Sequence, residues 1–210
     1  TSALRMDHKP DGVYGAMEFL YKNKTDGVEL SNDMTGAVIG GGNTAMDAVA
    51  SLKNRGLRNV YLIYRRSFHE LPAWDEEVRH ALDLGVHFMI LSQPTAYAGE
   101  DKLTGVRISH TMLGELDDSG RARPIIIEDS EYTLPVDICI EATGQKVDEN
   151  LTEALIGIEN DWGIIKVDEN FKTSRDKVYA GGDIVNGGTT VVQAAGEGRK
   201  AAEAILKTLV

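Results

Sequence analysis

A single cysteine, Cys139, is present in the 210 residues of the chain. One thiol excludes a disulfide within the chain, a CxxC redox pair and the cysteine ligand set of an iron–sulfur cluster. Cys139 lies in a strand-like apolar run, where a cysteine behaves as a small buried hydrophobic residue. We therefore predict neither a cysteine nucleophile nor a metal site.

Long apolar runs and an excess of basic residues are also lacking. No run approaches the roughly 20 apolar residues of a membrane-spanning helix, and residues 1–6 carry no apolar stretch of the signal-peptide type. The formal net charge of −11 leaves little to neutralise the phosphates of a nucleic acid. We expect a soluble, cytoplasmic protein that binds neither membranes nor nucleic acids.

Prolines are few and glycines are many, 5 against 22. Abundant glycine suits an α/β protein with many tight turns between strands and helices. The apolar pattern predicts strands at 35–39, 59–64 and 86–91, with helices at 44–53 and 75–85 between them. This β-α-β-α-β order predicts a parallel sheet, and residues 12–20 are predicted as a helix that precedes it.

The second half of the chain has a different pattern. Residues 102–113 and 123–127 alternate as antiparallel strands around a turn at 117–120, and residues 136–142 form another apolar strand. Short strands at 161–167 and 178–180 and a long helix at 190–209 follow. The antiparallel strands predict a β-meander beside the parallel sheet.

A glycine-rich phosphate loop, residues 40–45, joins the first of these strands to its helix. In its pattern Gly40-x-Gly42-x-x-Ala45, the first glycine permits a tight turn and the second lets a pyrophosphate approach the backbone. The helix that begins near Asn43 or Thr44 offers unpaired N–H groups and the positive end of its dipole. In this context the loop predicts an α/β, three-layer, Rossmann-like nucleotide-binding domain.

The tip of the second strand indicates which nucleotide the loop takes. NAD-binding units carry an acidic residue about 20 positions after the loop, which bonds the ribose 2′-hydroxyl. Here the strand ends in Tyr64-Arg65-Arg66, and two guanidinium groups suit a 2′-phosphate instead. The pattern favours NADP(H). The alternative is a pair of solvated arginines, and Glu70 would reduce the positive potential nearby.

A third feature follows the last predicted strand, where Gly181 and Gly182 precede Asp183. The glycines let the backbone approach a ligand closely, and the carboxylate can accept hydrogen bonds from sugar or ribityl hydroxyl groups. The next helix directs its N-terminus, near Thr190 and Val191, towards whatever lies there. From these residues alone, the segment is either a second ligand site or a helix cap supplied by Asp183.

Five segments carry a family resemblance that extends over nearly the whole chain. They are residues 38–47, Tyr64-Arg65-Arg66, Leu71-Pro72-Ala73, Ala142-Thr143-Gly144-Gln145 and Ala180-Gly181-Gly182-Asp183. Together they resemble the glutamate synthase small (β) subunit family, which includes the flavin–NADPH half of dihydropyrimidine dehydrogenase and related NADPH:ferredoxin oxidoreductases. More loosely, they are similar to thioredoxin reductase and other flavoproteins with two dinucleotide sites.

The resemblance implies a cofactor role for each matched residue. The phosphate loop would contact the pyrophosphate of NADPH, and the two arginines would hold its 2′-phosphate. Gly144 would lie where the nucleotide domain returns to a flavin domain. Asp183 would bond the ribityl or pyrophosphate part of FAD, and the backbone at Thr190 and Val191 would face its pyrimidine edge. The candidate residues are Gly40, Gly41, Gly42, Asn43, Thr44, Arg65, Arg66, Gly144, Asp183, Thr190 and Val191. No side chain is named as catalytic, because the cofactors would carry the chemistry.

Two departures from the family pattern shape the domain prediction. The position of a third arginine in thioredoxin reductases is Glu70 here, and no GxGxxG motif for FAD precedes residue 35. We expect residues 1–32 to be a remnant of an FAD domain and its linker. Residues 33–146 would form the NAD(P)H-binding domain, and residues 147–210 the C-terminal segment of the FAD domain.

The parent enzyme implied by the resemblance passes hydride from NADPH to FAD. Electrons would then leave through iron–sulfur centres, to an iron–sulfur protein or a large catalytic subunit. The isolated chain would hold FAD poorly and be inactive, and apolar surface on the remnants would favour self-association. The alternative is a non-catalytic dinucleotide-binding module. A disulfide reductase is disfavoured because it would need paired cysteines.

Overall fold

The computed structural model of the protein describes residues 8–25, 27–117, 120–144, 155–161 and 163–208. Its elements divide into two units, Thr1–Gln145 and Lys146–Val210. The predicted domain boundary at residue 146 and the motif residue Gln145 lie outside the described residues.

A sheet of five parallel strands forms the centre of the first unit. The strands are β1 (Val13–Gly15), β2 (Thr35–Ile39), β3 (Asn59–Ile63), β4 (His87–Met89) and β9 (Ile138–Glu141). Their order in the sheet is β1-β9-β2-β3-β4, so that β2 lies in the middle. Because β2 and β9 are covered on both faces, their sequences are continuous apolar runs and do not alternate.

Three helices cover one face of this sheet. They are α1 (Ala16–Lys24), α2 (Asn43–Asn54) and α3 (Asp75–Asp83). The buried side of α2 has residues at helical spacing, Ala45, Met46, Ala48, Val49 and Leu52. These side chains pack with Phe19 of α1 and Leu62 of β3 in the first hydrophobic core.

A β-meander covers the other face. It consists of β5 (Ser92–Ala98), β6 (Gly105–Leu116), β7 (Ala122–Ile126) and β8 (Tyr132–Leu134), and β6 pairs antiparallel with the other three. A second core joins the sheet residues Ile39 and Cys139 to the meander residues Tyr97 and Ile108. The first unit is therefore a helix–sheet–meander sandwich in three layers, as the sequence predicted.

The first described segment differs from its prediction. Residues 12–20 were predicted as a helix, but the chain forms β1 first and begins α1 only at Ala16. Val13 pairs with Cys139 of β9, and Phe19 is fully buried in the first core. A strand of three residues is too short for its alternation to be distinguished from helical spacing. Residues 13–24 thus contribute β1 and α1 to the sheet and helix layers of this unit.

The second unit contains a short hairpin and a long helix. The hairpin is β10 (Asn160–Asp161) with β11 (Ile164–Ile165), and the helices span Asp183–Asn186 and Val191–Thr208. The predicted strand at 178–180 is reduced to one bridge between Lys172 and Tyr179. Among the residues that the structure describes, none of the helices combines the length and apolarity needed to cross a lipid bilayer.

Candidate functional site

The phosphate loop begins where β2 leaves the sheet at Gly40. The Gly40 N–H donates to the carbonyl oxygen of Ile63 at 3.0 Å, which holds the loop against the end of β3. Its φ of +141° lies in the region that favours glycine. A Cβ at this position would lie 2.4 Å from the carbonyl oxygen of Ala142, just beyond β9. A side chain at Gly40 is therefore excluded by backbone on the neighbouring strand.

The N-terminus of α2 faces open space at Gly42. Gly42 caps the helix without a side-chain hydrogen bond, and a Cβ there would meet nothing within 4 Å. The amides of Asn43 and Thr44 have no acceptor among the residues that the structure describes. The first turn also contains no acidic residue. The helix end is therefore a cradle of free N–H groups and positive dipole, which suits a phosphate.

A second loop, residues 71–74, packs against the phosphate loop. The Ala73 N–H donates to the Gly41 carbonyl oxygen at 3.1 Å, and the Trp74 N–H donates to Asn43 Oδ1 at 2.9 Å. The side chain of Asn43 thus holds this loop in place. Only the backbone N–H of Asn43 is left at the open end of α2. The sequence pattern predicts no role for the Leu-Pro-Ala segment, because contacts between separate loops leave no periodic signal.

The guanidinium group of Arg66 is buried, with 3% of its side chain exposed. Its Nε donates to the carbonyl oxygen of Ala122 at 2.6 Å, and its Nη2 pairs with Asp117 Oδ2 at 2.9 Å. Both partners flank the β6–β7 turn. Arg66 therefore holds the meander against the tip of β3. That Arg65 and Arg66 both bind the 2′-phosphate stays a prediction.

Arg65 is exposed beside it, and its side chain has no hydrogen-bond partner among the described residues. Its carbonyl oxygen accepts from Thr111 Oγ1 at 2.8 Å, which fixes the backbone from which the side chain projects. Partial burial, followed by the charge of Arg66, lowers the pKa of Arg65. A bound anion would relieve this repulsion.

Glu70, predicted to weaken the positive potential, is engaged locally. Its Oε2 accepts from the Ser67 N–H at 3.0 Å and from the Ser67 hydroxyl group, so the two residues form a capping box around a single 3₁₀ turn, Phe68–Glu70. The hydrogen bond from the Ser67 side chain is the main cause that lowers the pKa of Glu70. The carboxylate is therefore ionised and directed at Ser67.

A buried carboxylate that sequence analysis missed lies at the end of β9. Glu141 is 1% exposed and accepts from the Tyr97 hydroxyl group at 2.6 Å and from Lys9 Nζ at 3.0 Å. Burial is the largest cause that raises the pKa of Tyr97, so the hydroxyl group remains a donor. The signal for this buried carboxylate in the sequence is a single acidic residue, Glu141, within the otherwise apolar run 138–142. These bonds tie the segment before β1 and the meander to the sheet.

The predicted cofactor-binding residues of the first unit follow the carboxyl ends of neighbouring strands. The phosphate loop follows β2, Arg65 follows β3, and Gly144 follows β9, and these are neighbouring parallel strands. Ile39 pairs with Ile63, so the phosphate loop and Arg65 follow residues that lie side by side at the ends of β2 and β3. Gly144 has a φ of +113° and no atom within 4 Å of a built Cβ. Carboxyl ends of parallel strands are where such sheets bind nucleotides.

The predicted flavin residues belong to the second unit. Glu197 of the long helix reaches back to the glycine turn, where its Oε2 accepts from the Gly182 N–H at 2.6 Å. Its carboxylate also accepts from Asn186 and Gln193. Asp183, the first residue of the short helix, is left exposed by this arrangement. Glu197 is thus a positioning residue for the turn, and no motif in the sequence had indicated it.

Thr190 and Val191 stand at the N-terminus of the long helix, as predicted from the sequence. Thr190 Oγ1 accepts from the Gln193 N–H at 3.2 Å and caps the helix. Val191 and Val192 are 87% and 82% exposed. The helix therefore presents two apolar side chains and a capped end to the surroundings of the second unit.

We expect the pH dependence of the Gly182 amide to report on Glu197. Hydrogen bonds, first from Gln193 and then from Gly182, lower the pKa of this carboxyl group. Its stabilising effect is therefore complete above the ordinary glutamate pKa and is lost only as the pH falls through the lowered value. In an NMR titration from about pH 7 to about pH 3, the Gly182 amide shift should change below the ordinary range of glutamate. The change should be absent in Glu197→Gln, and a midpoint at or above the ordinary value would contradict the assignment.

Comparison with known proteins identifies the family of the chain. Residues 8–198 match the pyridine nucleotide-disulphide oxidoreductase family, and the chain belongs to it. The family resemblance and the Rossmann-like fold class predicted from the sequence are thereby confirmed.

Curated relatives include subunits of larger enzymes. The chain is 45% identical to the NADP(+)-dependent formate dehydrogenase subunit beta of Moorella thermoacetica, over 80% of this chain and 24% of that protein. It is 38% identical to the glutamate synthase [NADPH] small chain of Escherichia coli, over 95% of this chain and 46% of that protein. The chain thus spans between a quarter and a half of the length of these relatives.

Solved structures support the same fold. Thioredoxin reductase of T. acidophilum superposes with a TM-score of 0.72 at 22% identity, over 94% of this chain and 57% of that chain. The Mycobacterium tuberculosis FprA in complex with NADPH has the same TM-score at 18% identity, over 98% of this chain and 61% of that chain. At these identities the likeness concerns the fold alone.

Proposed function

We propose that the first unit binds NADPH through the phosphate loop and Arg65. The observation that carries this proposal is the open helix end at Gly42, which follows β2. Arg65 follows β3, the neighbouring strand, and its exposed side chain has no hydrogen-bond partner among the described residues. The amides of Asn43 and Thr44 would donate to the pyrophosphate, and Arg65 would pair with the 2′-phosphate. Arg66 would support the site from behind, through the meander.

We infer further that the whole protein passes hydride from NADPH to FAD and then electrons to iron–sulfur centres or a partner subunit. The relatives named above, which are chains of glutamate synthase and formate dehydrogenase, support this inference. When bound, the two cofactors supply the redox chemistry, and the residues of this chain bind and orient them. Asp183 and the backbone at Thr190 and Val191 would face the flavin cofactor, and Gly144 would lie where the nucleotide domain returns to the flavin domain.

The second candidate function is a non-catalytic dinucleotide-binding module. It needs only the phosphate loop and Arg65, which both belong to the first unit. An absorption spectrum of the purified chain distinguishes the two functions. We expect no flavin bands and no NADPH oxidation by the isolated chain. A yellow protein that oxidises NADPH would contradict this expectation. Exposed Val191 and Val192 also support the prediction of self-association.

Replacing Arg65 with alanine should remove the preference for NADPH over NADH. The lost contact is a charge-assisted hydrogen bond worth about 1.5–3 kcal/mol, which corresponds to about 10-fold to 100-fold in the dissociation constant for NADPH. Affinity for NADH should change little, because that nucleotide has no 2′-phosphate. Fluorescence titration with both nucleotides measures the ratio.

The matched control for this variant is Arg58→Ala. Arg58 is an exposed arginine before β3, at the opposite edge of the sheet from the phosphate loop. The Arg58→Ala substitution changes the net charge by the same amount as Arg65→Ala. It should leave the affinities for NADPH and NADH unchanged. Equal losses in the two arginine variants would mean that the overall charge, and not a local contact, determines the affinity.

A further inference from the structure

The outer strand of the meander, β7, has a free edge. Among the strands that the structure describes, it pairs with β6 alone. The Ile127 N–H donates to the His110 carbonyl oxygen at 2.9 Å. Because backbone groups alternate in direction along a strand, the N–H and carbonyl groups of Ile126 are directed away from β6. The Glu128 N–H has no acceptor within the described part of the chain. The edge of β7 therefore presents unpaired backbone groups.

Two features limit the length of this free edge. The Ala122 carbonyl oxygen, near the β6–β7 turn, already accepts from Arg66 Nε at 2.6 Å. Pro124 has no N–H, so at that position the edge offers only a carbonyl oxygen. The groups left for another strand are the carbonyl group of Pro124, both groups of Ile126 and the N–H of Glu128. Such an edge is a template for strand addition.

These groups are complementary to themselves about a two-fold axis at Ile126. In an antiparallel pair of β7 strands with this centre, each Ile126 N–H donates to the Ile126 carbonyl oxygen of the other copy. Each Glu128 N–H then donates to the Pro124 carbonyl oxygen of the other copy, so that all of these groups are paired. Registers centred nearer to Pro124 make fewer hydrogen bonds, because that residue cannot donate.

The side chains along β7 fit the same arrangement. Ile125, Ile126 and Ile127 are 47%, 50% and 43% exposed. In the two-fold pair, Ile125 lies opposite Ile127 of the other copy on one face, and the Ile126 side chains meet on the other face. Arg123 lies opposite Asp129 of the other copy. Both are exposed, and neither side chain has a partner among the described residues, so opposite charges meet at each end of the strand pair.

We propose that two copies of this chain associate through the free edges of β7, in an antiparallel, two-fold symmetric strand pair centred on Ile126. The exposed isoleucines are covered in this pair, and the two meanders form one continuous sheet. A two-fold contact is closed, so association stops at the dimer. The interface uses neither the phosphate loop nor Arg65, and the proposal does not depend on nucleotide binding.

The test is sedimentation equilibrium of the full chain over a range of concentrations, with Ile126→Pro as the main variant. Proline removes the N–H at the free edge but no hydrogen bond to β6, and edge strands tolerate it. We expect the parent chain to be a reversible mixture of monomer and dimer. In the variant, the dissociation constant of the dimer should rise about tenfold or more, since each copy loses a hydrogen bond. Far-UV circular dichroism verifies the fold.

Two charge variants test the same register without changing the backbone. Asp129→Asn suits the φ of +55° at that residue, and Arg123→Ala removes the opposite charge. Each should raise the dissociation constant about threefold to tenfold, because the contact occurs at both ends of the pair. The double variant should be no weaker than the single ones, since either change already breaks the contact. Arg58→Ala matches Arg123→Ala in net charge and should have no effect.

Several results would overturn the proposal. One is a parent chain that stays monomeric at every concentration, and another is a parent chain that forms open assemblies larger than a dimer. A third is a dimer that Ile126→Pro and both charge variants leave unchanged. The variant Val191→Ser/Val192→Ser alters the exposed valines of the second unit and should leave the dimer intact. If it abolishes association, the contact lies elsewhere. If Ile126→Pro does not fold, the charge variants decide alone.

Discussion

Gly42→Ala is expected to weaken NADPH binding by about 100-fold or more while the chain stays folded. A methyl group at Gly42 meets no protein atom within 4 Å, and its φ of −89° suits any residue. The methyl would instead occupy the space through which the pyrophosphate approaches the amides of Asn43 and Thr44. Loss of two hydrogen bonds to a charged group, at about 1.5 kcal/mol each, corresponds to about 100-fold in affinity.

The free energy of unfolding of Gly42→Ala should differ from that of the parent chain by no more than about 1 kcal/mol. The only expected structural effect is that alanine is a poorer N-cap than glycine. Calorimetric titration with NADPH and denaturant unfolding measure the two quantities on the same sample. A variant that binds NADPH as the parent chain does would refute the assignment of the loop.

Gly40→Ala is the informative comparison, because the structure separates the roles of the two glycines. The alanine methyl would lie 2.4 Å from the Ala142 carbonyl oxygen, at a φ of +141°. Backbone strain and overpacking together should lower the free energy of unfolding by about 2–5 kcal/mol. Gly40→Ala should therefore fail in folding first and in binding as a consequence, whereas Gly42→Ala should fail in binding alone.

The phosphate loop could be predicted because its signals are local. A buried strand, a glycine turn and an amphipathic helix follow one another directly in the sequence, and the structure has them as β2, the loop and α2. The long helix was also predicted, from residue 190, because its apolar spacing persists over many turns. The three-layer arrangement followed from the change from helical to alternating pattern after residue 91.

What could not be predicted depends on contacts between distant residues. β1 is a strand only because it pairs with β9, more than a hundred residues later, and its three residues carry no pattern of their own. Arg65 and Arg66 are equivalent in the sequence, but the hairpin contacts of Arg66 bury one and leave the other exposed. The bond from Gly182 to Glu197 and the bond from Tyr97 to Glu141 are tertiary hydrogen bonds, which have no sequence spacing to detect.

The ion pair between half-exposed Lys9 and buried Glu141 leads to a large expected loss of stability. Lys9→Met should lower the free energy of unfolding by about 3 kcal/mol, because it leaves a buried carboxylate without its cation. The side chain of Glu141 is 2% exposed, and the remaining partner is the hydroxyl group of Tyr97. Thermal and denaturant unfolding, followed by far-UV circular dichroism, measure the change.

Lys22→Met provides a matched control in the same unit. Lys9 and Lys22 are both 44% exposed, and each is paired with a carboxylate, at 3.0 Å and 2.9 Å. They differ in the partner, since the Glu18 side chain is 51% exposed. An exposed helix pair is worth only about 0.3–0.5 kcal/mol, so this variant should be nearly neutral. A similar loss in both variants would show that the lysine stems, and not the buried charge, account for the effect.

The double variant Lys9→Met/Glu141→Gln isolates the electrostatic contribution. Glutamine has nearly the shape of glutamate and can still accept from the Tyr97 hydroxyl group, but it carries no charge that needs a cation. In the Glu141→Gln background, Lys9→Met should therefore cost less than about 1 kcal/mol, so that most of the loss seen in the single variant disappears. If Lys9→Met remains equally destabilising without the carboxylate, Lys9 stabilises the segment before β1 by packing alone, and the ion pair has no part in joining that segment to the sheet.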